Sequence, residues 1–109
     1  MALNIDQLIG AIVGAVKPVL LKDWKDAEPF AKTEAVKMAH TLANIADLYA
    51  SGQINDAQAQ ALLDMQKQAS QAVLTAIEGI GVIAAQNAIN AALGAVRAAV
   101  NDVLGIKLV

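Results

Sequence analysis

The chain contains no cysteine. Disulfides, thiol nucleophiles and thiolate metal sites are excluded, and redox chemistry says nothing about compartment. Aromatic residues are almost missing: Trp24, Phe30 and Tyr49 are the whole set. A core without large rings is filled by aliphatic side chains, and the commonest residue here is Ala, with 24 copies among 109 residues. Each Ala offers little apolar area, so helices lined with it must approach closely to bury enough surface. Basic residues are not in excess. Eight Lys and Arg stand against ten Asp and Glu, a net charge of −2. No basic stripe is present to neutralise phosphates, so nucleic acid is not an expected partner.

Groups able to do chemistry are equally sparse. His40 is the only histidine and shares a helical face with Asn44 and Asp47, where it reads as a solvated side chain. No Glu-x-x-His pair is present, which argues against a di-iron bundle site. Gly79-Ile80-Gly81 has no strand before it and no Lys-Ser/Thr after it. It therefore lacks the context of a phosphate loop and reads as a bend in a helix. Carboxylates lie within one helical turn of lysines, as in Glu28 with Lys32 and Asp64 with Lys67. Such pairs support a solvated helix face by a few tenths of a kcal/mol. No catalytic residue, metal site or cofactor is expected, and no small-molecule substrate; the chain does not read as an enzyme.

What is present is an uneven distribution of charge. Of the 18 charged residues, 13 fall between Lys22 and Glu78. The first 21 residues hold only Asp6 and Lys17, and the last 31 only Arg97, Asp102 and Lys107. Hydrophobic residues make up 57% of the chain, above the ~45–50% usual for a globular domain. The apolar run 8–16 follows Asp6 and has no basic segment before it, so it does not resemble a cleaved signal. It is also shorter than the roughly 20 residues a membrane span requires. Residues 79–96 are free of charge but include Gln86, Asn87 and Asn90, which are unfavourable in hydrocarbon.

The periodicity predicts an all-α domain spanning 1–109, a helical hairpin or small helix bundle with helices at about 4–22, 26–51 and 56–104. In the first helix Leu8, Ile12, Ala15, Val16 and Val19 make the apolar stripe, with Asp6, Gly10 and Lys17 opposite. Pro18 removes a backbone donor and marks a kink or break. Asp26 is the expected N-cap of the second helix, which carries a ridge of Ala27, Ala31, Ala35, Ala39, Ala43, Ala46 and Ala50. Ser51-Gly52 stops it. Asn55 with Gln58 resembles a capping box that starts the third helix. There Leu62, Ala69, Val73, Ala76, Ile77 and Ile80 form the expected stripe. Helical spacing resumes after the glycines through Ala84, Ala88, Ala91, Ala95 and Ala99, so one long, bent C-terminal helix is expected until Gly105 ends it.

A hairpin closed at residues 51–54 would pair 27–51 with the first half of the last helix and 4–22 with its second half. Straight arms of that length would reach roughly 70 Å at ~1.5 Å per residue and could not cover their own apolar stripes. They must fold back, self-associate or meet lipid. The leading expectation is a non-enzymatic structural or assembly subunit that forms a homo-oligomer through its charge-poor N- and C-terminal segments. Its expected interface is Gly10, Gly14, Ala84, Asn87, Ala88, Asn90, Ala91, Ala92 and Ala95. Gly and Ala allow close helix approach, and polar residues in an apolar seam can fix register. The alternative is a membrane-active hairpin that inserts 4–21 and 79–104. In length and central turn the chain also resembles the secreted helical hairpins of the WXG100 type, but where their Trp-x-Gly turn would fall it reads Tyr49-Ala50-Ser51-Gly52. A virion or injection-apparatus component is a further reading of the composition.

Overall fold

Residues 3–109 are described by a computed structural model of the chain. Four helices follow in order: α1 (Ile5–Val19), α2 (Trp24–Ala50), α3 (Asp56–Thr75) and α4 (Val82–Leu104), with a single turn of 3₁₀ helix (Leu21–Asp23) between α1 and α2. They form an up-down-up-down bundle in which each helix packs against its two neighbours in chain order, α4 closing the ring onto α1. The pairing expected of the hairpin is present, because α2 packs on α3 and α1 on α4. The 70 Å ribbon is not formed. The longest dimension is 42 Å, close to the roughly 40 Å that the 27 residues of α2 occupy at ~1.5 Å each. The arms fold back, and the two charge-poor ends of the chain cover each other.

Local signals set most of the boundaries. The Asn4 side chain accepts from the Gln7 N–H and starts α1. Pro18 sits in the last turn, and α1 stops one residue later. At the next turn Asn55 Oδ1 accepts from the Gln58 N–H at 2.8 Å while Gln58 Oε1 accepts from the Asn55 N–H at 2.9 Å, the reciprocal box expected there. Gly105 closes α4 with φ +71, a left-handed geometry that costs a glycine little.

Three boundaries differ from the expectation. Helix α1 ends at Val19, three residues short of 22, because Pro18 closes it and the chain turns into the 3₁₀ segment. Helix α2 begins at Trp24, two residues before Asp26, because the 3₁₀ turn feeds directly into it. Residues 56–104 are two helices, not one bent one. Gly79 has φ +90, and its α-carbon sits against the 3₁₀ turn: a Cβ there would lie 3.2 Å from the Asp23 carboxylate. Ile80 is buried and pins the connection to the core. A left-handed residue and a buried anchor together reverse the chain, where a helix with an ordinary glycine would only bend.

The core is aliphatic except where α2 meets α3. Leu8, Ile12 and Val16 of α1, the Ala27, Ala31, Ala35, Ala39 and Ala46 positions of α2 with Met38, Leu42 and Ile45, and Ala85, Ala88, Ile89, Ala92, Val96 and Val100 of α4 form one buried cluster. The stripe expected on α3 is rotated by about one residue. Ala59, Leu63, Ser70 and Leu74 are buried, while Ala69 and Ala76 are exposed. The cause is polar: Ser70 takes a core position because a partner on α2 satisfies its hydroxyl.

Candidate functional site

That partner is Glu34. Its side chain lies on the apolar face of α2, one turn from Ala31 and Met38, and is almost fully buried. The Ser70 hydroxyl donates to Glu34 Oε1 at 3.0 Å, and Lys37 Nζ lies 3.3 Å from Glu34 Oε2. Gln66 Nε2 donates to the Ser70 oxygen at 2.9 Å, and the Thr41 hydroxyl donates to Gln66 Oε1 at 2.8 Å. Five side chains thus form one continuous polar chain across the α2–α3 seam. Among the described residues no buried side-chain polar atom lacks a partner. A network satisfied in this way allows one register of α2 against α3 and opposes slips, since any shift would strand a buried carboxylate. Nothing in the sequence spacing marks Glu34, Thr41, Gln66 and Ser70 as a group. The available signal was that Glu34 falls at helical spacing with Ala27, Ala31 and Met38.

Beside this chain, Thr41, Asn44 and Gln66 edge an open groove of about 430 Å³ floored by Ile45, Leu48, Leu62 and Ala69. Thr41 and Gln66 are paired with each other, so apart from Asn44 the groove presents mainly aliphatic surface. At the far end of the same seam the Tyr49 hydroxyl donates to Asp56 Oδ1 at 2.6 Å. That hydrogen bond, then partial desolvation, then the carboxylate charge raise the Tyr49 phenol above its ordinary value of 10.0. The sign follows directly. The bonded, neutral phenol favours the folded state below the ordinary tyrosine range, and that contribution is lost as pH rises through the raised folded value. Tyr49 is the only tyrosine, so absorbance at the phenolate band reports it alone. The folded protein is expected to titrate above free tyrosine, and Asp56→Ala, which removes the acceptor, to bring the midpoint back down. An unchanged midpoint in Asp56→Ala would remove the hydrogen bond as the cause.

The nine residues expected at a subunit interface separate into three groups. Ala88 and Ala92 are both 0% exposed and lie inside the chain's own core. Ala84 and Ala91 are half-buried, Ala84 against that core. Gly10, Gly14, Asn87, Asn90 and Ala95 are exposed on the outer sides of α1 and α4. A built Cβ at Gly10, Gly14 or Gly94 would meet nothing within 4 Å. These helical glycines therefore serve no close packing within the chain. Asn90 and Arg97 share a small cleft with Gln60, Leu63, Lys67 and Leu93, into which the tail after Gly105 folds. Asn101 holds that tail: its Oδ1 accepts from the Leu108 and Val109 N–H groups at 3.0 and 2.9 Å, and Leu108 is buried.

His40 is exposed on α2. Among the described residues no three acidic or histidine side chains converge as metal ligands would. Among them, too, no helix is long and apolar enough to cross a membrane. Trp24 is half-buried and packs on the core at the α1–α2 joint. The class these features define is a small all-α four-helix bundle with an aliphatic core and one polar seam. Comparison with protein-family models, with curated proteins and with solved structures finds no match.

Proposed function

We propose that this chain is a non-enzymatic assembly subunit that associates with copies of itself through the surface of α1 and α4. The observation that carries the reading is the set of glycines Gly10, Gly14 and Gly94. Each sits within a helix, exposed, with open space where a side chain would be. A glycine in a helix interior costs about 1 kcal/mol relative to Ala, and no contact within the chain offsets that cost here. A partner helix lying close against the surface would. Exposed Asn87 and Asn90 on α4 supply hydrogen-bonding groups able to fix the register of such a contact.

Light scattering on the eluted full chain tests this. The wild type is expected to run as a discrete multimer. Gly14→Leu combined with Gly94→Leu is expected to remove the helix-face contact and give a smaller species with unchanged helicity, because both positions are open in the single chain. A wild-type chain that stays monomeric at high concentration would refute the reading.

A further inference from the structure

Apolar surface is concentrated at one end of the bundle. Of the large hydrophobic residues left exposed, Val19, Leu21, Phe30, Val82 and Ile83 lie on the segments around the α1–α2 joint and the α3–α4 turn. Leu21 and Ile83 are each 70% exposed. The two connections belong to the same end, since Gly79 sits against Asp23. The opposite end is closed differently, by the polar turn 51–55 and the tail held on Asn101.

The charges around this apolar end are balanced. Lys17, Lys22 and Lys25 face Asp23, Asp26 and Glu78 in number, three of each sign. Among the described residues the ion pairs are Glu28 with Lys32 and Glu34 with Lys37, so none of these six is committed within the chain. A rim without net positive charge does not attract an anionic lipid surface. Asp26 and Glu78 line one cleft and Asp23 lies against Gly79, so the acidic groups gather beside the α3–α4 turn, whereas Lys17 stands at the end of α1. A rim that carries its two signs in different places around an apolar centre is self-complementary under a two-fold axis.

We infer that this end is an isologous docking surface for a second copy of the chain, which joins two bundles end to end about the Leu21–Ile83 centre. The inference rests on the self-association reading and adds the place and symmetry of one contact. An end-to-end pair has nearly twice the 42 Å length of one bundle, whereas a side-by-side pair does not. Small-angle scattering therefore distinguishes the two arrangements directly.

Charge exchange tests the rim. Lys22→Glu with Lys25→Glu makes it acidic, and Asp26→Lys with Glu78→Lys makes it basic; all four positions are exposed. In sedimentation equilibrium each variant alone is expected to self-associate at least about tenfold more weakly than wild type, by like-charge repulsion. An equimolar mixture of the two is expected to recover a dimer near wild-type affinity, which also shows that both variants fold. Leu21→Asn with Ile83→Asn is expected to weaken association without loss of helicity. A wild-type monomer at every concentration overturns both this inference and the assembly reading. A multimer that the end variants leave intact, but that Gly14→Leu with Gly94→Leu dissolves, overturns the end-to-end contact alone. Binding of the wild-type monomer to phosphatidylcholine vesicles through Leu21 and Ile83 also overturns it, in favour of a lipid partner.

Discussion

Ala92→Asp is expected to unfold the single chain. Ala92 is 0% exposed, and its methyl group lies in a seam where the neighbouring buried side chains are all aliphatic. A carboxylate placed there has neither water nor a cationic partner. The result is overpacking combined with an uncompensated buried charge, a pairing that costs about 4 kcal/mol or more. For a small domain that is a large share of a total stability of about 5–15 kcal/mol. Ala88→Asp should behave in the same way. Ala95→Asp, one turn on and exposed, should leave helicity and the denaturation midpoint near wild type. Far-UV circular dichroism with chemical denaturation separates these outcomes. A cooperatively folded Ala92→Asp would mean that α4 does not pack as described. The contrast also matters for assembly, because only substitutions at exposed positions can report on subunit contacts without first destroying the subunit.

Ser70→Ala should destabilise the bundle by about 2 kcal/mol, more than removal of a typical hydroxyl. The change deletes one oxygen but disconnects two partners. Glu34 Oε1 loses its donor, and Gln66 Nε2 loses its acceptor. A buried hydrogen bond to a charged group is worth about 1.5–3 kcal/mol, and a group left unpaired in the interior carries its full desolvation penalty. Glu34→Gln keeps the shape and can still accept from Ser70, so a smaller loss is expected. A double-mutant cycle between Ser70→Ala and Glu34→Ala should show coupling, because the two side chains are in direct contact. A Ser70→Ala protein within about 0.5 kcal/mol of wild type would show that the seam is held by its aliphatic contacts alone.

The parts of this fold that could be read from the sequence are those set by local chemistry. The capping box at Asn55, the stops at Ser51-Gly52 and Gly105, the apolar positions Leu8, Ile12 and Val16, and the Ala positions of α2 rest on spacing and on residues whose preferences need no tertiary context. The all-α bundle followed from these. The division of the last helix was not legible, because Gly79 stands among residues that would continue a helix; its left-handed φ is required only once Asp23 lies against it. The rotated stripe of α3 was hidden for a related reason. Ser70 is polar and Ala69 apolar, so periodicity favours the wrong one of two adjacent residues until Glu34 is known to face the seam. The outward position of Gly10 agreed with the pattern, whereas the burial of Ala88 and Ala92 within one chain depended on where α1 lay.

The ring of helices closes between the first and the last of them, and α1 and α4 are in more extensive contact than any other pair. That closure orders events during synthesis. Residues 5–19 emerge from the ribosome long before residues 82–104, and at about 5–20 residues per second the interval lasts several seconds. Throughout it α1 can pair only with α2, and the stripe that α4 will cover stays open. The nascent chain is thus an incomplete bundle, missing one wall, until residues 82–104 are made. On a message carrying several ribosomes, the α4 of a finished neighbour competes with the chain's own for that opening. The topology that seals the mature subunit is for those seconds also a route by which two growing copies can become interlocked.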